Sequence, residues 1–290
     1  MPDVPVWPAC DQECLYCSNP AGDYRRRTAE HSFPALVRRL VRYRAGEESF
    51  AKFNDARDNL TLTGGEPTLH PQFLRLLAAA RKGFPYADLR LLTHGRRFAL
   101  RDFARRTLDA AGSPCEVAVN LVGAERGIEE AAAGVENLLG LRGPGQRVVI
   151  RVVLTRPQVR GLPRLAGTLL RRLAGIDRLE LVFMEMEGRA ELNIGVLGLR
   201  MGECAAALDS MYGVLRRFRE FRLYHFPLCV LPERLRAHAW STLDPAKVVH
   251  AFVCKDCRLR PGCVGIHKSY ARRMGVAEFR PPAPAELVAA

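Results

Sequence analysis

No stretch of this chain approaches the roughly 18 consecutive apolar residues that a membrane-spanning helix needs, which excludes a helical span. The opening Met1-Pro-Asp-Val-Pro-Val-Trp7 has no basic start and no long apolar run. It does not read as a secretory signal, and the cytoplasm is the expected location. Repeats and long low-complexity segments are also missing. So is any recognisable nucleic-acid module, although the net charge is +13. Arginines such as Arg38, Arg39, Arg42, Arg216, Arg217 and Arg219 are scattered along helical segments. That spread reads first as solvated helix faces. An acidic partner, such as an acidic peptide, is the sharper reading, and no module supports nucleic acid.

What is present is an ordinary globular composition. The 290 residues are 48% hydrophobic and 26% charged, enough for one or two domains with a sizeable core. Short β-branched runs alternate with longer amphipathic stretches. Strands are expected at Asn59–Thr63, Asp88–Thr93, Glu116–Leu121, Arg147–Leu154 and Arg178–Met184, with one more before Cys10. Helices are expected at Pro71–Lys82, Leu100–Ala111, Ile128–Leu141 and Pro163–Ala174. This alternation predicts an α/β fold with a parallel sheet and helices outside. About six units fit between Pro5 and Arg222, short of the eight of a closed barrel. Periodicity alone does not separate a partial barrel from a doubly wound sheet. From Phe226 onward the rhythm stops. The expected division is a main domain over 1–225, a C-terminal module over 226–280 and a disordered tail over 281–290.

The nine cysteines are clustered, which in a cytosolic chain points to metal or redox sites before disulfides. Cys10, Cys14 and Cys17 stand in Cys10-Asp-Gln-Glu-Cys14-Leu-Tyr-Cys17. One tight loop thus offers three thiolates and not four. A four-iron cluster held by three cysteines keeps one iron open, and an open position is where chemistry occurs. Further on come Cys229, Cys254, Cys257 and Cys263. Four ligands make a complete set, and ligand count alone does not separate structural zinc from an iron–sulfur cluster. Cys115 and Cys204 are single and read as small hydrophobes. The other marked motif is Thr63-Gly64-Gly65-Glu66-Pro67-Thr68, one βα unit after the cysteine loop. Its glycines allow a close backbone approach to a ligand.

Together, the cysteine loop and the Gly-Gly-Glu turn resemble the radical S-adenosylmethionine (SAM) enzymes. The resemblance implies a partial (β/α)6 barrel. It implies that Cys10, Cys14 and Cys17 hold a catalytic 4Fe–4S cluster whose open iron is chelated by SAM. Reductive cleavage of SAM then gives methionine and a 5′-deoxyadenosyl radical that abstracts hydrogen from the substrate. By the same analogy Gly64, Gly65 and Glu66 bind the amino group of SAM. Tyr16 packs near the adenine. Thr93 belongs to Thr93-His94-Gly95, where relatives often have Thr-Asn-Gly, so His94 is a departure. Asn120 and Arg151, placed at later strand ends, would contact the ribose and carboxylate, an arginine fork suiting a carboxylate. Met184, with Glu185 and Glu187, would lie by the adenine or substrate.

The spacing Cys254-x2-Cys257-x5-Cys263 resembles the core of the auxiliary-cluster (SPASM) domain of radical SAM peptide maturases. There another cysteine follows at the position that is His267 here, so the module looks truncated, with one auxiliary 4Fe–4S cluster that Cys229 completes. Four further stretches are similar to the maturases of His-Xaa-Ser repeat systems. They are Leu62-Thr-Gly-Gly-Glu-Pro-Thr-Leu69, Leu91-Leu-Thr-His-Gly-Arg-Arg-Phe98, Phe226-Pro-Leu-Cys-Val-Leu-Pro232 and the Cys254–Cys263 block. The implied substrate is a ribosomally made peptide, modified for example by a crosslink. The implied partners are a flavodoxin- or ferredoxin-type electron donor and, for any leader peptide, a separate binding protein or the barrel face. One alternative keeps the chemistry and takes a small metabolite, a sugar or nucleoside. Another is a non-catalytic zinc- or nucleic-acid-binding protein, which leaves Gly64-Gly65-Glu66 without a role.

Overall fold

A computed structural model describes residues 3–20, 22–47, 59–121 and 128–282. Most of the tail expected over 281–290 therefore lies outside the described residues. Eight strands follow in chain order: β1 Asp3–Trp7, β2 Asn59–Gly64, β3 Asp88–Thr93, β4 Cys115–Asn120, β5 Gln146–Leu154, β6 Arg178–Phe183, β7 Phe221–Tyr224 and β8 Ala239–Trp240. They form one sheet in that same order, parallel in the pairs resolved. Helices α1 Phe33–Ala45, α2 Phe73–Gly83, α3 Arg101–Ala111, α4 Ile128–Leu141 and α5 Arg156–Arg172 make the connections. This is the expected parallel α/β class, consistent with a partial TIM-like barrel. Two differences stand out. Helix α5 starts seven residues before Pro163, because Pro157 fits the first turn of a helix and Pro163 is carried inside it. The sheet also continues past residue 225, since β8 pairs with β7 through Leu223 with Ala239 and Tyr224 with Trp240.

The chain divides into two compact units. One holds Met1–Cys14, Asn19–Arg151 and Arg171–Arg178; the other holds Leu15–Ser18, Val152–Leu170 and Leu179–Ala290.

In the first unit, the pleat sends alternate residues to opposite faces. Leu60, Leu62, Leu89, Leu91, Val117, Val119, Val148 and Ile150 form the apolar rows, all buried. The other face carries a polar rung. Parallel register sets Asp3 beside Thr61, Thr61 beside Arg90, Arg90 beside Glu116 and Glu116 beside Arg147. Glu116 is the centre of this rung. Its carboxylate lies 3.0 Å from Arg90 Nε, 2.7 Å from Arg178 Nη2 and 3.4 Å from Arg147 Nε. Arg90, Glu116 and Arg178 are all buried, so each charge depends on the others for its solvation. Asp3, at the end of the rung, has its carboxyl pushed upward by burial, against the Thr61 hydrogen bond and the charges of Arg151 and Arg90.

In the second unit, β6 to β8 pack through aromatic contacts. Phe183 meets Phe226 at 5.3 Å and Tyr270 at 5.6 Å, and Tyr270 meets Phe279 at 5.7 Å. Two short strands, β9 Val248–Val249 and β10 Ile266–His267, form a separate antiparallel pair. The buried Tyr224 hydroxyl donates to Glu180 at 3.2 Å.

Replacing Glu116 by Ala strands the buried Arg90 and Arg178 cations. The expected loss of folding stability is about 3–5 kcal/mol, read by urea unfolding with circular dichroism. A loss under about 1 kcal/mol, the scale of an exposed pair, would mean that the rung is solvated.

Candidate cofactor-binding site

The segment leaving β1 runs directly over the Gly-Gly-Glu turn that leaves β2. The Gly65 amide donates to the Trp7 carbonyl at 2.6 Å, and the Glu66 amide donates to the Ala9 carbonyl at 2.9 Å. These bonds end one residue before Cys10. The approach leaves no room for side chains. A Cβ on Gly65 would sit 2.4 Å from the carbonyl oxygens of both Pro8 and Ala9, and one on Gly64 would sit 2.4 Å from that of Trp7. Gly64 also has φ +140, a conformation that favours glycine. The Asn19 side-chain amide donates to the Gly64 carbonyl at 2.8 Å and ties in the chain beyond the cysteines.

Glu66 is only 1% exposed. Its Oε1 accepts from the Thr68 amide at 3.1 Å, the Thr68 hydroxyl at 2.6 Å and the Thr93 hydroxyl at 2.7 Å. Its Oε2 accepts from the His94 amide at 2.8 Å. Three of these donors fall on Oε1, and Oε2 also lies 3.4 Å from His94 Nε2, so Glu66 frames the turn. Thr93 is part of that frame. Gly95, at φ +80, follows on, and Gly134 of α4 packs against it; a Cβ on Gly134 would meet the Gly95 carbonyl at 2.4 Å.

All nine cysteines are free thiols. Cys10 Sγ accepts from the Gln12 amide at 3.4 Å, and the Cys14 thiol points to Gln12 Oε1 at 3.6 Å. Burial pushes the Cys10 thiol up to about 11, with the charges of Glu66 and Asp11 adding to it. Only the thiolate binds a metal, so a cation's own charge would be needed to draw this proton off. Asp11, beside Cys10, lies 2.8 Å from His94 Nε2 and 3.0 Å from Arg96 Nη1. Cys10, Asp11 and His94 could by position share an ion, but His94 Nδ1 accepts from the Arg96 amide at 3.2 Å. The network therefore assigns the hydrogen to Nε2, where it faces Asp11 and not a metal.

In the second unit, the Cys17 carbonyl accepts from the amides of Arg189 and Ala190 at 2.9 and 3.2 Å. Tyr16 is buried beside it in the chain. Met184 directly follows β6 and is buried. Asn120 closes β4, but Arg151 lies within β5, opposite Asn120, where its charge acts on Asp3.

The four late cysteines lie close enough to interact. Cys229 is pushed up to about 11, first by burial and then by Cys263, Cys254 and Cys257. Cys263 Sγ accepts from the Leu228 amide at 3.4 Å, the kind of bond that tunes cluster sulfurs. Four thiols make a complete ligand set for one metal centre, and their chemistry alone does not separate zinc from an iron–sulfur cluster. His267 stands where the auxiliary-cluster domain has a further cysteine. It is buried, its Nδ1 accepts from the Ser269 amide at 3.1 Å, and its Nε2 lies 3.5 Å from Glu185 and 3.9 Å from Glu187. Lys247 Nζ bridges the same two carboxylates at 3.0 and 3.2 Å. Burial raises the Glu185 carboxyl, but His267, His225 and Lys247 outweigh it and hold the group at about 2. A cavity of about 470 Å³ opens beside Glu187 and Lys247. Cys115 and Cys204 are fully buried, as small hydrophobes are.

The profile of the Radical SAM superfamily matches residues 4–155, more than half of the chain. The chain belongs to this superfamily, and it is a radical SAM enzyme. Its family implies a 4Fe–4S cluster and SAM as cofactors. Among solved structures it is similar to Streptococcus suis SuiB, at 13% identity over 76% of this chain and 48% of that one, with a TM-score of 0.49. It is likewise similar to SuiB bound to precursor peptide SuiA, at 13% identity over 76% of this chain and 47% of that one, with a TM-score of 0.50. The chain thus spans about half the length of these structures, and the likeness is one of fold. No curated protein matches. No helix among the described residues is long and apolar enough to cross a membrane.

Gly65→Ala should force the β1 exit away from the turn. The expected result is a folded protein, by circular dichroism, whose iron content after reconstitution falls by about four atoms per chain, one four-iron cluster. Unchanged iron would show that the close approach does not position the cysteine loop.

Proposed function

We propose that this radical SAM enzyme modifies a ribosomally made peptide, forming for example a crosslink, and that it carries an auxiliary cluster. The observation that carries the reading is the second thiol group, in which Cys263, Cys254 and Cys257 lie near enough to Cys229 to act on its thiol. A fold shared with SuiB, whose structure is described as bound to a precursor peptide, supports it. When bound, the catalytic cluster and SAM supply a 5′-deoxyadenosyl radical that takes a hydrogen atom from the substrate.

The chain's own residues have separate tasks in this proposal. Cys10, Cys14 and Cys17 hold the catalytic cluster and leave one iron open. Gly64, Gly65 and Glu66 bind the amino group of SAM beside Thr93, and the Glu66–Thr93 hydrogen bond also keeps the turn in shape. Tyr16 and Met184 offer apolar surface to the adenine, and Asn120 and Arg151 polar groups to the ribose and carboxylate. The segment 226–280 seats the auxiliary cluster, which would take an electron from the substrate radical or help seat the peptide. A flavodoxin- or ferredoxin-type donor supplies the reducing electron, and a separate protein or the barrel face holds any leader peptide. A cytosolic setting suits nine free thiols.

The test is incubation of the reduced, reconstituted protein with SAM and a short peptide encoded beside its gene. The expected products are 5′-deoxyadenosine and a peptide lighter by two hydrogen atoms, both lost in Cys14→Ala. Cys257→Ala should lower iron by about four atoms per chain. Turnover with sugars or nucleosides and none with peptide would move the substrate to a small metabolite. Lost zinc at constant iron in Cys257→Ala would make the second group structural.

A further inference from the structure

We propose that His94 is a positioning residue that clamps the cysteine loop onto the Gly64–Glu66 turn through Asp11. This goes beyond the proposed function, because it concerns how the loop is held before any cofactor binds. Two segments distant in sequence, the turn at Glu66 and the loop at Asp11, converge on this one residue. Its backbone amide is committed to Glu66, so the residue is fixed to the turn. Its Nδ1 takes the Arg96 amide, which fixes the ring and its tautomer. That leaves one donor, Nε2–H, and it meets Asp11 Oδ1 at 2.8 Å, with Glu66 Oε2 farther off at 3.4 Å. The ring is only 5% exposed, whereas Asp11 is 44% exposed. A buried, pre-oriented donor thus captures a carboxylate on a largely open loop, one residue from Cys10. Arg96 Nη1 holds the other carboxylate oxygen at 3.0 Å. Between β1 and Cys10 the loop is held by backbone bonds to the turn; just past Cys10 this clamp is its anchor to the end of β3.

Side-chain length decides whether the clamp can close. Asn at 94 can imitate Nδ1 and still accept from Arg96, but it is too short to reach Asp11. Gln reaches as far as Nε2 and can donate. The experiment labels thiols in the iron-free protein with iodoacetamide and maps them by mass spectrometry. His94→Asn should raise the Cys10 labelling rate about tenfold, the scale of one hydrogen bond to a charged group. His94→Gln should return it toward the wild-type rate. The buried Cys115 and Cys204 are internal controls and should keep their rates. His94→Ala gives the same reading as His94→Asn if the Asn variant does not fold.

An unchanged Cys10 rate in His94→Asn, or a Gln variant no better than Asn, would overturn the proposal. So would an equal rise at Cys115 and Cys204, which would mean that the unit as a whole had loosened. A second readout is the half-time of iron loss to a chelator after reconstitution, expected to shorten in Asn and recover in Gln. The labelling result stands without any cluster. If iron never loads, the reading of the cysteine loop fails while the clamp is still judged on its own.

Discussion

The first unit's site depends on one buried carboxylate. Glu66 has almost no contact with water, and four donors from Thr68, Thr93 and His94 surround it. A charge so placed is tolerable only while those donors stay. It therefore fixes three things together: the turn after β2, the end of β3 and, through His94 and Asp11, the cysteine loop after β1. The two glycines before Glu66 serve the same end, because only they let the β1 exit lie against the turn. The consequence for chemistry is pre-organisation. A loop and a turn that are already in register spend less binding free energy on ordering themselves around a ligand.

The opposite end of the strands is organised by a different charge pattern. Glu116 gathers Arg90, Arg147 and Arg178 near the starts of β3 to β6, at the far end from the cysteine loop. Parallel α/β sheets place chemistry at the carboxyl ends of their strands and stability at the amino ends. The division of labour here follows that rule. It also accounts for part of the arginine content, since several arginines are interior partners of carboxylates and not solvated helix faces. Arg81 is tied down differently, with its guanidinium donating to the backbone carbonyls of Ala111, Phe84, Pro85 and Ala87.

Much of this was legible in the sequence. The strands at 59–63, 88–93 and 147–154 and the helix at 128–141 fall within a residue of their places, because each has a strong periodic signal. The cysteine spacing and the Gly-Gly-Glu turn point to the superfamily whose profile matches residues 4–155. What was not legible is what register decides. No local signal pairs Arg90 with Glu116, or Asp11 with His94 across 83 positions. A two-residue strand such as β8 has no period to detect, so the sheet ran further than expected. Arg151 was placed at a strand end by its neighbours' pattern, whereas β5 continues three residues beyond it. A sequence also carries no sign of how many donors the fold brings to a carboxylate such as Glu66.

In the function proposed here, both thiol groups hold iron–sulfur clusters and the first keeps an open iron. The most direct test is the electron paramagnetic resonance spectrum of reduced, anaerobically reconstituted protein, with and without SAM, beside its iron and zinc content. The account predicts about eight iron atoms per chain, two four-iron clusters, and a reduced-cluster signal that SAM changes. Zinc without iron, or a signal indifferent to SAM, would contradict it.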